Sequence, residues 1–195
     1  MVARNAADTA PAYPSPGAVL ALLKPITWFP PMWAYACGVI SAGSAIEDRS
    51  LHIIGGILLA GPLICGASQA VNDWFDRHVD AINEPWRVIP SGRMPGRWGL
   101  WIAIINSLLS LAVAALLGTY VFIAAIIGIV LAWAYSMPPV RLKANGWYGN
   151  AAVGISYETL PWLTAAAAAL GAAPSMPVFI AALAYGIGAH GIMTL

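Results

Sequence analysis

Two adjacent stretches decide the fold class: WGLWIAIINSLLSLAVAALLG, residues 98–118, and YVFIAAIIGIVLAWAY, residues 120–135. Each is long and apolar enough to be read as a helix crossing a bilayer, which needs about 20 mostly apolar residues. Almost nothing joins them, which predicts a tight helical hairpin. The same reading outward gives four more spans: about 26–46, opening Ile26-Thr27-Trp28-Phe29-Pro30-Pro31, then about 51–72, 150–171 and 178–195. No alternation of apolar and polar residues suggests a β-barrel. The expected fold is therefore an all-α transmembrane helical bundle with about six spanning helices.

The bulk numbers agree. Of 195 residues 60% are hydrophobic, only 9% are charged, and mean hydropathy is +0.76. A soluble domain carries roughly 25% charge, so the expected solvent is lipid and a lipid bilayer the first partner. A net charge of +1 gives no electrostatic case for nucleic acid. Cys37 and Cys65 lie in apolar runs and read as packed thiols. Residues 1–17, small and Pro-rich, read as a disordered cytoplasmic tail without a secretory signal, ahead of a membrane domain over 18–195.

Basic residues are lopsided. Arg4, Lys24, Arg77, Arg87, Arg93, Arg97, Arg141 and Lys143 fall on one side of the predicted spans, and Arg49, beside Glu47 and Asp48, on the other. The positive-inside rule then puts the N-terminus and the ends of the even-numbered spans in the cytoplasm. Trp28, Trp33, Trp98, Trp101, Trp147 and Trp162 lie near span ends, as an interfacial belt does.

Charge is scarce, so its placement is informative. Eight of the 17 charges fall within residues 73–97. With the second helix continued at about 100° per residue, Asp73, Asp76 and Asp80 fall at about 0°, −60° and −20°, and Gln69 at about −40°. Three carboxylates on one stripe repel, and a bound divalent cation relieves them. Oxygen ligands point to Mg²⁺, held by one or two carboxylates together with substrate phosphate. Arg87 and Arg93, around the turn that holds Ser91, suit phosphate through paired hydrogen bonds. Arg141 and Lys143, after Tyr135, repeat the arrangement. The pattern reads as a diphosphate site at the cytoplasmic face. His78, at about 140° on the same wheel, falls off the stripe. Lys24 reads as an interface anchor sooner than as a phosphate ligand, and His52 as interfacial.

At these residues the sequence resembles the intramembrane aromatic prenyltransferases of the UbiA superfamily. The family's first aspartate-rich motif, N-D-x-x-D-x-x-x-D, matches Asn72, Asp73, Asp76 and Asp80. Asn72-Asp73-Trp74, Asp80-Ala81-Ile82-Asn83-Glu84-Pro85 and Ile89-Pro90-Ser91-Gly92 look like the chlorophyll and bacteriochlorophyll synthase branch. Leu23–Tyr35, Arg93–Leu100, Tyr157-Glu158 with Leu160-Pro161-Trp162, and Gly188–Leu195 lean to its bacteriochlorophyll side. The resemblance implies a fold of about nine spans. It also implies transfer of a geranylgeranyl or phytyl group from its diphosphate to the propionate of bacteriochlorophyllide or chlorophyllide. Mg²⁺ on Asn72, Asp73, Asp76 and Asp80 would meet the diphosphate. Arg87, Arg93, Arg141 and Lys143 would stabilise the leaving pyrophosphate. Gln69, Ser91, Tyr135, Glu158 and His190 are candidate substrate contacts. Glu158 reads either as a contact to the tetrapyrrole rim or as an acid bonded to a neighbouring helix. His190 reads as a ligand to the macrocycle metal or as an interhelical hydrogen bond. The implied home is the inner or intracytoplasmic membrane of a phototrophic bacterium.

The family's second aspartate-rich motif would come directly after the segment ending at Leu195. The 195-residue chain is therefore expected to be C-terminally incomplete and inactive alone. The alternatives are another UbiA-type prenyltransferase and, from other classes, a cation-coupled carrier or a non-catalytic pigment-binding membrane protein. Carrier sites favour the midplane of repeated, broken helices, whereas these acids sit at a helix end.

Overall fold

The computed structural model describes residues 12–43 and 49–191. Arg4, Glu47, Asp48 and the segment 192–195 lie outside them. All regular structure among the described residues is helical. Nine α-helices occur in order among them: α1 Pro16–Leu23, α2 Phe29–Ser41, α3 Ser50–Leu58, α4 Gly66–Asn83, α5 Trp98–Leu117, α6 Thr119–Ser136, α7 Gly146–Gly154, α8 Leu160–Leu170 and α9 Met176–Gly191. π-helical turns at Leu59–Cys65 and Ile155–Thr159 join α3 to α4 and α7 to α8.

Among the described residues three helical bodies are long and apolar enough to cross a membrane: Ser50–Asn83, Trp98–Leu117 and Thr119–Ser136. The α5–α6 hairpin turns at Gly118, whose φ of 120° only glycine adopts readily. The second predicted span and the acidic stripe are one continuous helical body of 34 residues. The other three expected spans are helical but different in kind. The first reduces to the 13 residues of α2. The fifth has the length but carries Tyr157, Glu158, Thr159 and Pro161 at its middle. The sixth is the 16-residue α9.

The expected tail boundary at Gly17 falls inside the fold. Ser15 caps α1, its hydroxyl accepting from the Ala18 amide, and Pro16 supplies the first helical residue. Upstream of it, the Ala12 carbonyl accepts from the Trp98 indole at 3.1 Å. Leu22 and Ala18 of α1 are buried with Ala70, Val71 and Ala103.

Small residues bring the helices together, as in lipid, where close packing rather than water drives association. A Cβ at Gly38 on α2 would run into the Trp162 carbonyl of α8. Trp162 thus packs inward, its indole donating to Ser41 Oγ at 2.9 Å, instead of marking a span end. Gly154 and Gly186 touch across α7 and α9, a Cβ at either meeting the other's carbonyl at 2.8 Å. Leu108, Leu116, Ile123, Val130 and Ile180 stay exposed on the outside of the bundle, the surface a bilayer would cover.

Candidate active site

Proline at position 62 supplies no N–H, and the wide turn Leu59–Cys65 re-spaces the helix around it. Cys65 at the end of that turn and Ser68, Gln69 and Asn72 beyond it face a cavity of about 620 Å³. Ala60, Ile64, Gly128, Ala132 and Tyr135 form other parts of its wall, and the second π turn brings Ser156, Tyr157 and Glu158. His190 of α9 completes it. The stripe that lines the cavity runs on along α4 to Asp73, Asp76 and Asp80.

Those carboxylates meet basic side chains from three other segments. Lys24 ends α1 in the left-handed conformation, φ 48°, and its ammonium sits 2.6 Å from Asp73 Oδ1. It faces inward, not along the interface as its place in the sequence suggested. Arg87 is brought back by a compact loop in which the Ser91 amide donates to the Arg87 carbonyl and Val88 and Met94 are buried. Gly92, at φ 77°, permits the reversal. Arg87 Nη1 lies 3.3 Å from Asp73 Oδ1 and 3.1 Å from Asp80 Oδ2, and its Nε pairs with Glu84. Burial alone would lower the Arg87 pKa; the Glu84 hydrogen bond and the charges of Asp73, Asp80 and Glu84 outweigh it and raise it.

Asp76 is served from the other side. Lys143 pairs with its Oδ2, and Arg141 Nη2 lies 3.5 Å from its Oδ1. Asn145 caps α7 through the amides of Trp147 and Tyr148. Gly149 lets α7 lie against the Lys143 backbone, where a Cβ would come within 3.0 Å. Ser136, 1% exposed, accepts from both Asn72 Nδ2 and Lys143 Nζ at 3.1 Å. Lys143 Nζ also stands 5.8 Å from the Tyr135 ring centroid.

The acidic stripe thus resolves into two parts: Asp73 and Asp80 around Arg87, and Asp76 with Lys143 and Arg141. Among the described residues no group of three His, Cys, Asp or Glu side chains gathers closely enough to hold a metal. The donor set fits Mg²⁺ through one or two carboxylates, the number it commonly takes from protein. Asp73 and Asp80 already share one positive centre, the Arg87 guanidinium. The cluster pairs Asp73, Asp76, Asp80 and Glu84 with Lys24, Arg87, Arg141 and Lys143. The chain therefore balances its own charge there, and an added polyanion would need added cations.

Arg93 and Ser91 stay outside this cluster. Arg93 is exposed, its Nε donating to Ser91 Oγ at 3.3 Å and its Nη2 to the Trp86 carbonyl at 3.5 Å. His78 is also exposed. Gln69 Nε2 donates to the Tyr157 hydroxyl at 2.7 Å, and the Cys65 thiol lies 3.4 Å from the same oxygen. Glu158, buried in the second π turn, has Oε1 3.6 Å from His190 Nε2. Its Oε2 has no hydrogen-bond partner among the described residues. Sequence reasoning did not place Lys24, Glu84, Ser136 and Tyr157 in the site. Glu84 could have been found from its spacing, one helical turn beyond Asp80 on the stripe and three residues from Arg87. Lys24, Ser136 and Tyr157 arrive through tertiary packing and carry no such signal.

Known proteins share the sequence and the fold. Residues 25–195 match the UbiA prenyltransferase family. The whole chain is 54% identical to the bacteriochlorophyll synthase 33 kDa chain of Rhodobacter capsulatus, of which it covers 65%. It is 38% identical to the chloroplastic chlorophyll synthase of Arabidopsis thaliana, over 89% of this chain and 46% of that one. The chain thus spans about two thirds or less of the length of these relatives. A UbiA homolog from Archaeoglobus fulgidus, solved bound to GPP and Mg²⁺, superposes with a TM-score of 0.72 at 24% identity, over 85% of this chain and 58% of that one. A solved digeranylgeranylglyceryl phosphate synthase gives 0.73 at 22% identity, over 86% and 58%. The likeness of fold, the family match and the long apolar helices agree: this chain is a membrane protein that belongs to the UbiA prenyltransferase family.

Proposed function

We propose that the chain carries the diphosphate-binding part of an enzyme that transfers a geranylgeranyl or phytyl group to the propionate carboxylate of bacteriochlorophyllide or chlorophyllide. The observation that carries this reading is the charge-balanced cluster at the head of an apolar cavity. A prenyl diphosphate has the matching shape, a polyanionic head on an apolar tail. The identities to bacteriochlorophyll and chlorophyll synthases support the acceptor.

In this reading Mg²⁺ would be held by one or two of the carboxylates Asp73, Asp76 and Asp80, with the Asn72 amide beside them. That ion, when bound, neutralises charge on the leaving pyrophosphate. Arg87, Arg141 and Lys143 exchange carboxylate partners for phosphate oxygens, for which guanidinium groups are well shaped, and Arg93 and Ser91 meet the diphosphate from the turn beyond. The bond from C1 of the prenyl group to the diphosphate oxygen breaks, and a bond from C1 to the acceptor carboxylate oxygen forms. That carboxylate is ionised at neutral pH, so no strong base is needed. The apolar wall of the cavity keeps water from the electron-poor carbon. Gln69, Tyr135, Glu158 and His190 contact the substrates along the wall. The cluster faces the cytoplasm of a phototrophic bacterium, with the N-terminus on the same side.

Prenyl transfer is measured in membranes with labelled geranylgeranyl diphosphate and chlorophyllide. Two forms are compared: the 195-residue chain, and a fusion to the remaining third of the Rhodobacter capsulatus relative. The expected result is Mg²⁺-dependent ester formation by the fusion, none by the 195-residue chain, and a loss of at least about 100-fold in the fusion's Asp73→Ala or Asp76→Ala variants. Ester formation that survives both substitutions would overturn the site assignment. Transfer by the 195-residue chain would overturn the expectation that it is inactive alone.

A further inference from the structure

Helix α5 contributes a residue to the site without touching it. Asn106 Nδ2 donates to the Leu63 carbonyl at 2.9 Å and to the Pro62 carbonyl at 3.2 Å. Both carbonyls belong to the π turn Leu59–Cys65. Asn106 is not among the cavity-lining residues, and an amide on a lipid-embedded helix is costly unless it finds partners. Here its partners are backbone groups at the point where the helical ladder is re-spaced around Pro62. The contact is close: a Cβ on Gly66, the first residue of α4, would stand 3.3 Å from Asn106 Nδ2.

Position along a helix after an irregular turn is a matter of phase. Each residue of slip rotates the helix beyond the turn by about 100°. Cys65, Ser68, Gln69 and Asn72 face the cavity, and Asp73, Asp76 and Asp80 meet their basic partners, only in the phase that this turn sets. We infer that Asn106 is a positioning residue: by holding the Pro62 and Leu63 carbonyls it fixes the phase of α4 and so aims the acidic stripe. The inference rests on the proposed diphosphate site for its functional consequence, but its structural part stands apart from it.

Two readouts on the purified chain separate the parts. In the first, thiol labelling in detergent is coupled to mass spectrometry that resolves Cys65 from Cys37. Cys65 is 4% exposed and its thiol donates to the Thr27 carbonyl at 3.3 Å. Asn106→Leu should raise its labelling rate at least tenfold, with helix content retained. Asn106→Gln, which keeps the amide, should recover part of the protection. Ser110→Ala, which removes the hydroxyl bonded to the Asn106 carbonyl at 2.7 Å, serves as the control and should leave labelling unchanged. In the second, the Mg²⁺ concentration that half-stabilises the chain against heat is measured with pyrophosphate present. Asn106→Leu should raise it about tenfold and Ser110→Ala should not. Unchanged Cys65 labelling in Asn106→Leu overturns the inference. A raised labelling rate with no pyrophosphate response in any variant, wild type included, keeps the positioning role and overturns the diphosphate site. A raised rate with an unshifted Mg²⁺ midpoint overturns the link between the turn and the stripe.

Discussion

The two polar regions of this bundle treat buried carboxylates in opposite ways. At the head of the cavity, Asp73 and Asp80 are 2% and 7% exposed, and each meets cationic nitrogen. In the cavity wall, Glu158 is equally buried, yet no Lys or Arg pairs with it among the described residues: Oε2 lacks a hydrogen-bond partner, Oε1 lies 3.6 Å from His190 Nε2, and the Tyr185 hydroxyl is hydrogen-bonded to the carboxyl group. Both regions follow a π turn; Glu158 and His190 line the cavity, and the charged cluster adjoins it through Asn72 and Tyr135. The head is a neutralised cluster whose members can exchange partners; the wall holds an acid whose surroundings compensate it less.

Removing Arg87 attacks the head hardest. Arg87→Met leaves Asp80 without a cation while Asp73 keeps Lys24, and for a partly exposed arginine the loss should cost up to about 3 kcal/mol, the low end for a buried pair. The expected result is a large fall in the unfolding temperature in detergent. An unchanged temperature would mean that the cluster is not a buried ion-pair network. Glu158→Gln should matter far less, because no Lys or Arg pairs with Glu158 among the described residues and an amide can keep a hydrogen bond in its place. A change within about 1 kcal/mol is expected, and a fall as large as that of Arg87→Met would erase the contrast between the regions. Ser136→Ala unties Asn72 from Lys143 and should cost about 1 kcal/mol, read by the same unfolding. Arg93→Ala should leave stability unchanged, because Arg93 is exposed and bonds only within its own turn.

The head was largely legible in the sequence because it lies on one helix. The 100° spacing of Asp73, Asp76 and Asp80 survives as drawn, since α4 runs unbroken from Gly66 to Asn83. Charge scarcity in an apolar chain then singles out Arg87, Arg93, Arg141 and Lys143 as complements, of which Arg93 stays outside the cluster. Lys24 was misplaced because its direction depends on the left-handed residue that ends α1, a feature no periodicity reports. The π turns were illegible for a related reason: Pro62 and Pro161 announce irregularity but not its form. Asn106 carried no signal, because its partners are backbone carbonyls on another helix. The hairpin at Gly118 was legible because nothing but a tight turn fits between two apolar runs. The weaker spans were not resolved, because hydropathy alone does not distinguish a long apolar helix from one interrupted by Tyr157 and Glu158.

A charge-balanced head of this kind should take a diphosphate only together with a divalent cation. Thermal unfolding of the 195-residue chain in detergent tests that most directly, with Mg²⁺ alone, pyrophosphate alone, and both. Both together should raise the unfolding temperature by several degrees while either alone has little effect, and Asp73→Asn with Asp76→Asn should remove the response. Equal stabilisation by pyrophosphate without a divalent cation, or an intact response in the doubly substituted chain, would contradict it.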